Sequence, residues 1–268
     1  MSTPSRTPDV FTPGAFTPRP GAAPLGRQIL AQARMESRLM LRNGEQLLLA
    51  VVIPLLVLVG GILAAHKVDL SFPHTPVDTL TPGVLALAVM STSFTSLAIA
   101  TGFERRYGVL KRLGASPLPR TGLLAGKVGA LLLVELLQIV IIAAVAFPLG
   151  WRWQLSIGDL AGLVLCVLAG TAAFASLGLF LAGVLRAEAT LAAANLVYLL
   201  LLAGGAVVFP PSTYGAAGPA LSWLPSAALG NGMRTVFLDG GFPLMPILVL
   251  AVWAGAGTVL TARTFSWE

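Results

Sequence analysis

Thr121-Gly-Leu-Leu-Ala-Gly-Lys-Val-Gly-Ala-Leu-Leu-Leu-Val-Glu135-Leu-Leu-Gln-Ile-Val-Ile-Ile-Ala-Ala-Val-Ala-Phe-Pro-Leu149 holds only two ionisable side chains, Lys127 and Glu135. A helix rising 1.5 Å per residue needs about 20 predominantly apolar residues to cross the hydrocarbon of a bilayer, and this run is long enough. Runs of the same kind occur at Gln46–Ala65, Leu80–Phe103, Gly158–Leu185, Ala189–Phe209 and Pro243–Ala262. Each is bounded by charges or by Pro and Gly clusters that end helices. Composition agrees: 56% of the 268 residues are hydrophobic and 10% are charged, against roughly 25% charged in a soluble domain. A chain so poor in polar surface must present its apolar side chains to lipid. The expected fold is all-α and polytopic, a single domain of six transmembrane helices over residues 46–268.

Six crossings put both termini on one side, and the basic residues say which. Lys and Arg concentrate in cytoplasmic connections. Arg6, Arg19, Arg27, Arg34, Arg38 and Arg42 precede the first span; Arg105, Arg106, Lys111, Arg112, Arg120 and Lys127 surround the second connection; Arg186 and Arg263 complete that side. The other side holds only Lys67, Arg152 and Arg234. Both termini are therefore expected in the cytoplasm. The net charge of +6 is spent on orientation, so no nucleic-acid partner is expected. Abundant Arg, Ala, Gly and Pro point to a bacterial source, and hence to a multi-pass protein of the bacterial plasma membrane.

Ahead of the spans, residues 1–24 carry six prolines among Ser, Thr and Gly, with too little apolar content to fold alone, and read as a disordered cytoplasmic tail. Residues 25–45 interleave Ile29, Leu30, Ala33, Leu39 and Leu41 with Arg27, Arg34, Glu36, Arg38 and Arg42. That pattern suits an amphipathic helix on the inner leaflet, arginines toward anionic headgroups, or an ordinary solvated helix leading into the bilayer. Cys166, the one cysteine, lies within an apolar run and reads as a small packing residue.

The connection Phe103-Glu-Arg-Arg-Tyr-Gly-Val-Leu-Lys-Arg-Leu-Gly-Ala-Ser-Pro-Leu-Pro-Arg120 asks for more than charge. Its first half predicts a short helix over 103–113, with Glu104 in the first turn and Lys111 and Arg112 near the last, each favourable against the helix dipole. Gly114 ends it, and Pro117 and Pro119 delay the next helix. Tyr107, Val109, Leu110 and Leu113 add an apolar stripe. A basic anchor alone does not require a capped helix of mixed character; a docking surface for a cytosolic protein does.

On these residues the chain resembles the permease subunits of ABC-2 type exporters, including the drug-resistance permeases of actinobacteria. The likeness rests on Glu104, on Tyr107-Gly-Val-Leu-Lys-Arg-Leu-Gly-Ala-Ser-Pro117 and on Leu124-Ala-Gly-Lys127, and it covers roughly residues 25–265. By that resemblance, Glu104, Arg105, Arg106, Tyr107, Gly108, Leu110, Lys111 and Arg112 belong to the helix that couples the permease to a cytosolic ABC ATP-binding subunit. A second permease copy, identical or similar, would complete the path. Trp223-Leu-Pro-Ser226 through Arg234 to Gly240-Gly241 resembles the family's short re-entrant helices between spans five and six.

The chain is not expected to hydrolyse ATP or to carry a cofactor. The string nearest to a phosphate-binding loop, Thr121-Gly-Leu-Leu-Ala-Gly-Lys127-Val128, lacks the first glycine and the final hydroxyl. Its better reading is a Gly122-x-x-x-Gly126 packing surface with Lys127 snorkelling to the interface.

Glu135 is the one ionisable residue far from an interface, with Gln138 a turn further on. Both are candidates for the translocation path; the alternative for Glu135 is a structural carboxyl bonded between helices. Ser91, Thr92, Ser93, Thr95 and Ser96, with Asn195 and Tyr198, either touch substrate or bond neighbouring helices. His66, His74, Asp69 and Asp78 lack the compact spacing of a metal site. Two rival functions remain at the level of sequence, a secondary transporter driven by protons through Glu135 and a membrane scaffold without transport.

Overall fold

The computed structural model describes residues 23–68, 74–114, 119–153 and 156–264. The first 22 residues of the expected tail, Asp69, and Ser116 and Pro117 of the connection lie outside them, and His66 lies among residues whose side chains are not described. The described residues contain helices and no strand: α1 Leu25–Arg42, α2 Gly44–Val68, α3 Pro76–Met90, a π-helical segment Ser91–Ser96, α4 Leu97–Arg106, α5 Val109–Gly114, α6 Arg120–Ala146, α7 Ile157–Val184 and α8 Ala187–Gly204. After a 3-10 turn at Pro211–Ala217 come α9 Gly218–Leu221, α10 Pro225–Arg234, a π turn Thr235–Asp239 and α11 Leu244–Thr264.

Five stretches are long and apolar enough to cross a membrane: Pro76–Arg106, Thr121–Ala146, Ile157–Val184, Ala187–Gly204 and Leu244–Thr264. Where the sequence leads one to expect a first span, α2 holds a shorter apolar stretch, Ala50–Ala65. Starts follow local chemistry. Thr75 accepts a hydrogen bond from the Asp78 amide at 3.2 Å, with Pro76 in the first turn of α3. Ser156 and Asp159 form a reciprocal capping box at the start of α7; each such cap contributes roughly 1 kcal/mol.

The second span is the axis of the bundle. Its apolar window is 78% buried, whereas that of α11 is 17% buried, so α2, α6, α7, α8 and α10 close around it. Midway along, the Ser-Thr-rich stretch Ser91–Ser96 widens to a π-helix. There the Ser93 hydroxyl donates to the Val89 carbonyl at 2.5 Å, and Gly178 of α7 sits so close that a Cβ would meet the Phe94 carbonyl oxygen at 2.8 Å. Side-chain bonding to the preceding turn loosens a helix, and such widened turns recur at functional positions.

The chain unwinds after α8. Residues 205–209 are irregular, with Ala206 at φ +51, before α10 returns almost wholly buried against α3, α7 and α11. Short helices thus lie where the resemblance implies re-entrant ones between the last two spans. Non-helical backbone at membrane depth survives only where protein covers it, and α3 does the covering. A Cβ on Gly83 would stand 2.5 Å from the Val208 carbonyl oxygen and 2.8 Å from that of Val207. Since those obstacles are backbone, Gly83→Ala is expected to cost about 1–3 kcal/mol, read as a lower melting temperature of the solubilised protein; an unchanged melt would show that the hairpin stands further from α3.

Candidate cytoplasmic coupling site

Where a free-standing helix over 103–113 is expected, the structure shows a division. The second span continues without a break to Arg106, so Glu104, Arg105 and Arg106 form its last turn. Tyr107 caps it, Gly108 turns the chain at φ +67, and only Val109–Gly114 forms the short helix α5. The positive φ suits a residue without Cβ. Leu110 is 2% exposed and fastens α5 to the bundle, while Lys111 and Arg112 are exposed beside it.

Each residue of that last turn has a partner that the sequence did not announce. The Arg105 guanidinium donates to the Gly183 carbonyl and, at 2.7 Å, to the Leu185 carbonyl, the last acceptors of α7. Arg106 pairs with Glu188 in the first turn of α8. The two cytoplasmic connections, α4–α5 and α7–α8, are thereby one surface, with a basic recess formed by Arg105, Arg106 and Arg186 around Glu188. The only advance signal was the position of Arg186 and Glu188 at the other cytoplasmic turn.

Glu104 points inward. Its Oε1 receives the Lys127 ammonium at 2.7 Å, and Glu36 of α1 lies 3.0 Å from the same nitrogen. Gln32, one helical turn before Glu36, donates to that carboxylate at 2.8 Å. Lys127 therefore does not snorkel: it is 6% exposed, held because two carboxylates repay part of the desolvation a buried ammonium suffers. The Gly126 packing surface is confirmed beside it, since a Cβ there would meet Gln32 Cγ at 2.5 Å. The string that mimics a phosphate loop is thus the wall of α6 against α1. Here α1 turns Gln32, Glu36 and Ser37 inward and leaves Leu30 and Leu39 exposed.

Glu135 and Gln138 lie wholly inside this chain. Thr171 of α7 donates to Glu135 Oε2 at 2.7 Å. Thr92 of the π segment donates to Gln138 Oε1, and Gln138 Nε2 donates to the Ala50 carbonyl of α2, both at 2.8 Å. Glu135 Oε1 is buried without a hydrogen-bond partner, and Gln138 is a tie between three helices. Tyr198 is buried and Asn195 exposed on α8. Cys166 is buried against Gly232, as a packing residue is.

On the outer side Arg234 is 6% exposed and donates to the Val207 and Val208 carbonyls, both at 2.7 Å, and to Asn231 at 3.0 Å. The carbonyl partners of Arg234 lie 26 and 27 residues back in the chain, where no periodicity points to them.

Taken together, the apolar spans and the joined α4–α5 and α7–α8 connections define an all-α, multi-pass membrane protein. The sequence profile of the family described as ABC-2 family transporter protein matches residues 75–263, and the chain belongs to that family. It is a membrane permease component of an ABC transporter, a multi-pass subunit of a class that works with a partner ATP-binding subunit. Among curated proteins, none matches it.

Proposed function

We propose that this chain is the permease half of an ATP-driven exporter of the bacterial plasma membrane, its ATP hydrolysed by a separate cytosolic subunit seated on α5 and the α7–α8 connection. The observation that carries this reading is the clamping of Arg105 onto the Gly183 and Leu185 carbonyls. A push on either connection then reaches the second span, which is the core of the bundle, and α7 together. Nucleotide shifts the permease between arrangements only to the extent that the ATP subunit fits one of them better. Export and the separate ATPase are supported by the resemblance of the motifs at 104–117 and 124–127 to exporter permeases; the substrate, whether drug, lipid or glycan precursor, is left open by the residues.

A path between two copies is supported by the tying of Glu135 and Gln138 inside one chain and by α8, which presents Asn195 with Leu196, Leu199 and Leu200 on an exposed face. A purified active complex with a single permease copy would sink this part.

The docking reading is tested with Lys111→Glu/Arg112→Glu, because both side chains are exposed, whereas Arg105 and Arg106 also hold the fold. Co-purification with the cognate ATP subunit should fall about tenfold or more, since like charges at an interface cost several kcal/mol. Undiminished retention overturns the site. Transport that persists without ATP and follows a proton gradient would restore the secondary-transporter alternative.

A further inference from the structure

Beneath α5, and bounded by α4, α6, α7 and α11, lies a cavity of about 400 Å³. Its lining is chiefly apolar, including Leu110, Leu123, Val128 and Leu179, and its flank on α6 is open: Leu124 is 39% and Val128 37% exposed. Five polar residues interrupt that lining, Thr101, Lys127, Ser176, Thr258 and Thr261; the Ser176 and Thr261 hydroxyls donate to the Ala173 and Ser176 carbonyls. The Thr101 hydroxyl is buried with no hydrogen-bond partner, and the Lys127 ammonium, with three N–H donors, gives two of them to Glu36 and Glu104. Lys127 lies about 10 Å inside the start of α6 at 1.5 Å per residue. In the chain, Lys111 and Arg112 follow the lining residue Leu110, and Arg263 follows the lining residue Ala262; all three are exposed.

We infer that this cavity binds an anionic glycerophospholipid of the inner leaflet, one acyl chain in the groove and the phosphate among Lys111, Arg112 and Arg263. Each level of the site has its counterpart in such a molecule. These three cations select a negative headgroup. Deeper, the Thr101 hydroxyl and the remaining Lys127 N–H meet neutral ester carbonyls, which suits a triad that already carries two carboxylates to one ammonium. The apolar groove takes a single chain. Occupancy fills the space under Leu110 and braces α5 against the bundle, so bound lipid sets the stiffness of the docking surface. The binding does not depend on the docking proposal; only this consequence does.

The full-length permease, alone in nanodiscs of phosphatidylcholine with a minority of phosphatidylglycerol, is released for native mass spectrometry. Wild type should retain phosphatidylglycerol at least about fivefold over its share of the bilayer. Lys111→Gln/Arg112→Gln/Arg263→Gln should bring retention close to bilayer composition, and Ala172→Phe, at an exposed lining position, should abolish retention of both lipids. Leu124→Trp gives the same readout if Ala172→Phe does not accumulate. Equal retention of the two lipids by wild type, selectivity that survives loss of the three cations, or retention unchanged by the filled cavity would each overturn the site. Failure of ATPase docking with lipid retention intact would remove the docking reading and leave this one standing.

Discussion

Replacing Lys127 with methionine is expected to be the most damaging single change in the cytoplasmic half of the protein. The substitution keeps the length of the side chain and removes its charge, which leaves Glu36 and Glu104 facing each other in a buried site. Breaking a buried pair costs about 3–5 kcal/mol, because the surviving charge keeps its desolvation penalty and loses its partner. Here two charges survive, and Glu104 Oε2 has no hydrogen-bond partner to begin with. Gln32 shields only Glu36. The solubilised variant should therefore melt far below wild type or fail to accumulate. The control lies in the same network: adding Glu36→Gln and Glu104→Gln removes the stranded charges and should recover most of the loss. A Lys127→Met protein as stable as wild type would show that the three side chains do not meet.

The same triad bears on motion. It joins α1, the last turn of the second span and the start of α6, and Arg105 and Arg106 join that last turn to α7 and α8. A displacement imposed on α5 is then delivered to four helices at once. With the triad neutralised but the fold restored, ATP-dependent transport should fall relative to ATP hydrolysis, since α1 no longer follows the connection.

The sequence was most legible where one physical effect dominates. Six apolar runs and a lopsided distribution of Lys and Arg are local signals, and each is read without knowing what lies opposite. The helix over Leu25–Arg42 was legible for the same reason, whereas the short helices after α8 were foreseen only through the family resemblance. What misled was the connection after the second span. Glu104 just before two arginines reads as the acidic start of a new helix, yet the helix has not ended: Glu104 faces inward because Lys127, an entire connection away, awaits it. No periodicity reveals such a pairing. Gln138 was equally opaque, since its partners Thr92 and Ala50 come from two other elements. Gly83 and Gly178 look like any glycine of a membrane helix until the backbone they admit is seen.

On the outer side, Arg234→Met should have the next largest effect. The chain leaves its helix at Gly205, so the Val207 and Val208 carbonyls lose their helical partners at a depth where water is scarce. An unsatisfied buried carbonyl costs about 1–3 kcal/mol, and a single guanidinium nitrogen serves both. Against this stands the cost of burying Arg234 itself, whose nearest polar partner besides the carbonyls is the neutral Asn231. The two terms oppose each other, and the carbonyls prevail because they cannot move: Gly83 and Gly230 press on the same residues from α3 and α10. A loss of about 2–4 kcal/mol is expected, together with faster proteolysis between α8 and α10. Lysine at the same position separates charge from shape. It keeps the cation but not the planar fork that reaches two carbonyls and Asn231 together, so Arg234→Lys should recover less than half of the loss. Full recovery by lysine would mean that charge alone holds the hairpin, and an unaltered melt in Arg234→Met would mean that the hairpin is held elsewhere.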